Sequence, residues 1–282
     1  MKIGIAQISP HLGNVKRNFE LHLDYIEKAR KNKVDILIFP ELSLTGYNLK
    51  DLVEEVAIIP INDSYFRKFK SLSRNISFVL GFVEEKEKGL FYNSAAFFSG
   101  GEILHIHRKV FLPTSGMFEE GKFFAQGKNI KTFNTPFSKV GMMICRDFLH
   151  YGASYLLFAG GAEIMIVLSA APGRGVSKNE SFETSQMWEL MGETISRFST
   201  VFLVYGNRVG FENGAVFSGG SFIYDPWGKL LTKAAYLEPD FILQEIDMHE
   251  IRKVRKRWPY KRDDKPEIIL EALKRIVREY ED

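Results

Sequence analysis

Apolar runs of strand length alternate with helical patterns through most of the chain. Ile3–Gln7 and Asp35–Phe39 read as strands, and Val15–Lys31 between them places its apolar residues at helical spacing. A second helical stretch, Ser64–Arg74, leads into a strand at Ile76–Phe82. Leu90–Phe98 and Glu102–Val110 flank the turn signal Ser99-Gly100-Gly101 and predict a hairpin. Lys139–Cys145 reads as a strand, Phe148–Ala159 as a largely apolar helix, and Glu163–Ser169 as another strand. Ser181–Phe198 is predicted helical and Val201–Tyr205 extended. Gly220–Tyr224 and Lys229–Thr232 flank the turn Asp225-Pro226-Trp227-Gly228, and Phe241–Ile246 completes the strands. Pro266 opens a last helix, Glu267–Tyr280.

The runs ILIF, MMI, IMIVL and VFLVY lack polar alternation, as strands buried on both faces do. Interleaved with helices, they predict an α/β fold, and the hairpin signals add antiparallel pairing to give a mixed sheet. No internal repeat, low-complexity tract or linker breaks the pattern, so a single domain is expected. Hydrophobic residues at 45% and aromatics at 13% of 282 residues suffice for a large core and exclude a disordered chain. One cysteine cannot close an internal disulfide, which fits a reducing, cytoplasmic setting. The opening MKIGIAQISP reads as a first strand rather than a signal peptide. No apolar segment approaches the roughly 18 residues of a membrane span, so no membrane partner is expected.

Charge changes the picture at one place. RKVRKRWPYKR, residues 252–262, carries seven cations against a net charge of +3, so the remainder is net acidic. A basic stretch with Trp258 and Tyr260 has nucleic-acid character. No second basic patch supports that reading, so a nucleic-acid partner is not expected, and a solvated surface helix and loop or an intersubunit contact is the better account.

Three predicted strands end on reactive side chains: Glu41 in FPELSLTGY, Lys109 in HRKVFLP, and Cys145 in GMMICRDF. Each is weak evidence alone, since a glutamate caps helices and a lone cysteine usually fills space. Together they set an acid, an amine and a thiol where α/β sites gather. A thiol of pKa about 8.5 is a few per cent ionised at neutral pH and needs a base or a cation beside it. Glu41 and Lys109 supply one of each. His105 and His107 share a strand face with Lys109, and read better as a partly buried polar face than as a Cys–His pair or the start of a metal site. GMFEEGK, Gly116–Lys122, lacks the following Ser/Thr of a phosphate loop and carries two repelling acids.

In this order and spacing, the three segments resemble the signature segments of the nitrilase superfamily of carbon–nitrogen hydrolases. The likeness continues with Ala6-Gln7, FEEGKFFAQG (Phe118–Gly127), NRVGFENGAVFSGGS (Asn207–Ser221) and DPWGKLL (Asp225–Leu231), from residue 3 to about 246. FPELSLTGYNLKDL is more similar to the amidase domain of glutamine-dependent NAD synthetases than to true nitrilases. The resemblance implies a four-layer αββα sandwich with mixed sheets, residues 1–246 forming the hydrolase domain. Residues 247–282 would be an extension packing on that domain or on a partner subunit of a homodimer, with the apolar helix YLLFAGG, Tyr155–Gly161, near the dimer contact. It implies catalytic Glu41, Lys109 and Cys145, a second glutamate at Glu120 or its neighbour Glu119, and the Arg146 backbone N–H as oxyanion donor. Tyr47, Phe118, Asp147, Ser169, Ala170 and Arg174 are the substrate-binding candidates. The implied reaction needs no metal or organic cofactor: a thioester on cysteine, formed from a small amide or N-carbamoyl substrate with release of ammonia. The alternatives are an N-acyltransferase with the same triad, a glutaminase subunit feeding a separate synthetase, and a non-catalytic binding protein.

Overall fold

The computed structural model describes residues 1–175 and 182–280. The chain opens with β1 (Lys2–Gln7), α1 (Val15–Lys31) and β2 (Ile36–Ile38). A 3₁₀ turn at Lys50–Leu52 and the short α2 (Val53–Val56) lead to α3 (Ser64–Leu72). The long strands β3 (Ser77–Glu87), β4 (Leu90–Ser99) and β5 (Glu102–Arg108) come next. After α4 (Glu120–Phe123) follow β6 (Thr132–Asn134), β7 (Lys139–Ile144), a 3₁₀ turn at Cys145–Asp147, α5 (Tyr151–Ala159) and β8 (Ile164–Ser169). Then come α6 (Glu183–Ser199), β9 (Phe202–Asn207), β10 (Val209–Glu212) and β11 (Ala215–Ser218). The strands end with β12 (Phe222–Tyr224), β13 (Leu230–Lys233) and β14 (Asp240–Glu245), and the helices with α7 (His249–Arg257), α8 (Tyr260–Asp263) and α9 (Pro266–Glu279). Ser181, the predicted start of the sixth helix, lies outside the described residues.

Two six-stranded sheets form, in the orders β14-β1-β2-β3-β4-β5 and β13-β12-β9-β8-β7-β6. Each has three parallel strands at its heart, β1-β2-β3 in the first and β7-β8-β9 in the second, extended by antiparallel neighbours on both sides. The inner faces pack on each other: Ile3, Ile5, Ile36, Ile38, Val79 and Phe97 meet the core of β7, β8 and β9. Gly206 of β9 faces the first sheet, where a Cβ would lie 3.0 Å from Ile38 Cγ2. The outer face of the first sheet is covered by α1 and α3, through Tyr25, Ile26, Ala29, Phe66 and Phe69. The second sheet is covered by α5 and α6, through Leu157, Trp188 and Ile195. These are the four layers of an αββα sandwich.

Local chemistry explains the helices that hold the site in place. Asn14 starts α1 by accepting from the Arg17 amide, 3.0 Å away, and Lys28, Arg30 and Lys31 sit at the negative end of its dipole. Phe66 and Phe69 of α3 are fully buried among Phe78, Phe82 and Phe98 of the sheet. Truncating either to alanine removes about 3–5 kcal/mol. The fifth helix begins at Tyr151 rather than at Phe148, because Cys145–Asp147 coils into a 3₁₀ turn first. In the basic segment Val254 is buried, as is Ile251 just before it, and Arg255 donates to the Ala162 carbonyl at 2.7 Å, so part of the segment is committed to the fold. By contrast α9 buries no residue at all.

Candidate active site

Glu41 stands on the turn that follows β2. The turn lies against β3: the Phe39 amide donates to Val79 O at 2.9 Å and the Leu44 amide to Gly81 O at 3.0 Å. Leu42 is held at φ +46°, a strained conformation for a side-chain-bearing residue. The approach demands glycine at position 81, where a Cβ would fall 2.3 Å from the Leu42 nitrogen. The Glu41 carboxylate then accepts three bonds, from Lys109 Nζ (2.7 Å), Asn93 Nδ2 (2.8 Å) and the Ala170 amide (2.8 Å).

Lys109 follows β5, its amide donating to Asn93 O at 2.9 Å and its carbonyl accepting from Gly127 N at 2.8 Å. Its ammonium is fully buried between two carboxylates, since Nζ also donates to Glu120 Oε1 at 2.7 Å. The Tyr47 hydroxyl donates to the same Glu120 oxygen. Glu119 points outward and pairs with Lys122, so of the two neighbouring acids Glu120 is the one brought to Lys109. Glu120 Oε2 and Asn93 Oδ1 are buried and have no hydrogen-bond partner among the described residues.

The second sheet supplies the thiol. Cys145 follows β7 at φ +44°, a left-handed position that aims the residue out of the strand line. It is 6% exposed. Ser169 ends the neighbouring β8 and accepts from the Tyr205 hydroxyl at 3.1 Å. Asn207, at the end of β9, accepts from the Ala171 amide at 2.9 Å and so fixes the loop whose Ala170 amide reaches Glu41.

Burial opposes the charge on Lys109, but Glu120 and Glu41 outweigh it and hold the ammonium above the ordinary lysine range. Burial, and then the charge of Glu41, pushes the Cys145 thiol up to about 12, with Lys109 and a bond from Ser169 pulling the other way. The thiol is therefore protonated at neutral pH. Burial raises Glu120, and Glu41 adds to this while Lys109 opposes it. Tyr47 is raised well above an ordinary phenol by burial and by the two carboxylates.

A cleft of about 130 Å³ opens beside Cys145, lined among others by Phe118, Arg146, Leu149, Pro172, Arg174 and Trp188. The Arg174 guanidinium lies 5.8 Å from the centre of the Phe118 ring, and that ring meets Tyr47 edge-on. Of the sequence candidates, Phe118 and Arg174 thus border the cleft, and Tyr47 stands behind Phe118. Asp147 does not reach it: the side chain is fully buried and accepts from His107, Val110, Phe111 and Ile144. Ala170 uses its amide on Glu41 rather than on a ligand, and Ser169 turns toward Tyr205 and Cys145. His105 stacks on Phe133, away from the thiol.

Sequence reasoning missed four partners of the site. Asn93 was detectable as a lone amide inside the apolar strand LFYNSAAFFS. Asn207, Arg208 and Glu212 lie in NRVGFE, the last two spaced to pair. Arg208 donates to Glu212 at 2.7 Å with both side chains buried, and Glu212 accepts from the amides of Tyr47 (3.0 Å) and Asn48 (2.6 Å). Their signal was charge inside an apolar context, which demands a partner.

A family model described as carbon-nitrogen hydrolase matches residues 2–256. The chain belongs to the carbon-nitrogen hydrolase family. Among its relatives is the glutamine-dependent NAD(+) synthetase of Acinetobacter baylyi, 30% identical over 279 residues, which cover 99% of this chain and 50% of that protein. The chain thus spans about half the length of the curated relatives it matches first. The crystal structure of a carbon-nitrogen hydrolase from Helicobacter pylori G27 is similar at TM-score 0.85 and 25% identity, covering 97% of this chain and 98% of that one. A variant of the Nesterenkonia AN1 amidase from the nitrilase superfamily shares the fold at TM-score 0.80 and 21% identity, over 96% and 97% of the two chains.

Proposed function

We propose that this chain hydrolyses a non-peptide carbon–nitrogen bond of a small molecule, an amide or N-carbamoyl group, through a thioester on Cys145. The observation that carries the reading is geometric: Cys145 lines a cleft at a strained position beyond a strand end, and the buried Lys109 ammonium near it is bonded to both Glu41 and Glu120. Glu41 accepts the thiol proton as Sγ attacks the carbonyl carbon. The oxyanion is met by the Lys109 ammonium and the Arg146 backbone N–H, each worth about 3 kcal/mol in comparable sites. The Glu41 proton then goes to the departing nitrogen, ammonia leaves, and the thioester remains. Glu41 next deprotonates a water, whose attack releases the acid and returns the proton to Cys145. The unpartnered Glu120 Oε2 is suited to accept an N–H of the substrate while Oε1 holds Lys109.

A second reading is favoured by the glutamine-dependent relatives: the substrate is glutamine, and ammonia passes to a separate synthetase chain. An ammonia-release assay over aliphatic amides, glutamine, N-carbamoyl amino acids and nitriles separates the two. Ammonia from an amide or carbamoyl compound is expected, and release confined to glutamine selects the second reading. Consumption of an amine acceptor with no hydrolysis of any of these would overturn both in favour of acyl transfer. No described helix is long and apolar enough to cross a membrane, and the single cysteine supports a cytoplasmic setting. Tyr151, Leu156, Leu190 and Phe198, exposed on α5 and α6, support a homodimer through that face. A monomeric mass by light scattering would contradict it.

A further inference from the structure

Asp147 is among the most heavily bonded side chains in the molecule, and the reaction steps above do not use it. Its Oδ2 accepts from His107 Nε2 at 2.8 Å and from the Ile144 amide at 3.0 Å. Its Oδ1 accepts from the Val110 amide at 3.0 Å and the Phe111 amide at 2.9 Å. Neither Asp147 nor His107 is more than 2% exposed. Those partners are not scattered. His107 stands two residues before Lys109, and Val110 and Phe111 are the two residues after it. Ile144 precedes Cys145, and Asp147 itself is two residues beyond. One carboxylate therefore grips the chain on both sides of Lys109, at the end of the first sheet, and on both sides of Cys145, at the end of the second.

We propose that the His107–Asp147 pair is a positioning device that sets the distance between the Lys109 ammonium and the Cys145 thiol. The inference rests on the reading of Lys109 and Cys145 as reacting groups. Each of the two residues sits at the end of a different sheet, and packing between sheets resists compression better than it fixes a hydrogen-bonding distance. A buried carboxylate with all its bonds made supplies the missing constraint, because slipping either strand end leaves a charge unsatisfied in the core. Asp147 is held below its ordinary value in spite of burial, by the bond from and charge of His107 and by the backbone amides. It is thus ionised, and the His107 Nε2–H donates.

The test is alkylation of Cys145 by iodoacetamide, followed by intact mass across pH, in the full chain with thermal unfolding measured in parallel. Lys109→Met, Asp147→Asn, His107→Leu and His107→Gln are compared with the wild type. Loss of the cation in Lys109→Met is expected to slow alkylation at neutral pH about tenfold, a displacement of the rate–pH curve by about one unit upward. Asp147→Asn and His107→Leu should move the curve the same way while remaining folded. His107→Gln, which keeps a donor near the Nε2 position, should stay within about threefold of wild type. A merely structural pair would lower the melting temperature and leave the curve of the folded protein in place. If Asp147→Asn does not fold, the two His107 variants carry the test. A wild-type curve in Asp147→Asn or His107→Leu, or equal loss in His107→Leu and His107→Gln, overturns the positioning role. An unmoved curve in Lys109→Met overturns instead the reading of the reacting groups, and the positioning role with it.

Discussion

The first sheet delivers charge to the site and the second delivers a thiol, and the two are held by different means. Glu41 is fixed by three hydrogen bonds and Lys109 by two carboxylates, all buried. The Cys145 side chain carries no charge, and its place is set through the backbone: a left-handed φ beyond a strand end, then a tight turn whose Asp147 carboxylate accepts from the Ile144 amide. Charged groups in a low-dielectric interior must be bonded or they destabilise the fold, so their geometry and the stability of the protein are the same fact. A thiol has no such requirement. Variants on the charged side should therefore lose folding and activity together, while variants of the thiol lose activity alone.

The sharpest break in this comparison is Cys145→Ala, expected to lower kcat by about 10⁴-fold or more in an ammonia-release assay. Its melting temperature should stay within a few degrees of wild type. Lys109→Met comes next, with a loss of about 10³-fold in kcat. Two carboxylates are then left facing each other, and urea unfolding should show about 3–5 kcal/mol of destabilisation. A Lys109→Met protein as stable as Cys145→Ala would end the contrast.

A third expectation extends it to the support behind Glu41. His22 is fully buried, with Nε2 2.9 Å from the Ser43 hydroxyl, which also contacts the Gly81 amide at 3.3 Å. Burial lowers its pKa from 6.5 to about 4, opposed by a bond to the Asn18 carbonyl. Between those values the unfolded chain binds a proton that the folded chain does not. Stability is therefore full above pH 6.5 and falls by about 3 kcal/mol as the pH drops to 4. Chemical denaturation across that range should show the slope, and His22→Gln should flatten it. The smallest effect is expected away from both sheet ends: Arg197→Ala breaks an exposed pair with Glu193 and should change stability by no more than about 0.5 kcal/mol.

Much of this was legible before any coordinates. IMIVL and GMMI are strands buried on both faces, and their period-free apolar runs said so. Val15–Lys31 is a helix with the bounds its spacing predicts. Hidden features were those set by distant partners. The three residues of β6 carry too little pattern to stand out, whereas the β10–β11 hairpin closes on Asn213-Gly214, a signal that is local. At the site, Glu41, Lys109 and Cys145 were visible because each stands at or just beyond the end of a predicted strand. Choosing Glu120 over Glu119 needed coordinates, since only the direction each side chain takes from the start of α4 separates them. Asp147 was expected at the substrate and is instead in the core. Its neighbour Arg146, on the opposite side of the same turn, is the one at the cleft. A one-residue step around a 3₁₀ turn is beyond what pattern alone resolves.

The central claim is that Cys145 carries the acyl group. It is tested most directly by acid-quenching the protein during turnover of an amide that releases ammonia, and measuring the intact mass and the peptide that carries the change. The expected result is a mass gain equal to the substrate less ammonia, confined to the peptide containing Cys145 and missing from Cys145→Ala. Wild-type turnover by Cys145→Ala, or an adduct on any other residue, would contradict it.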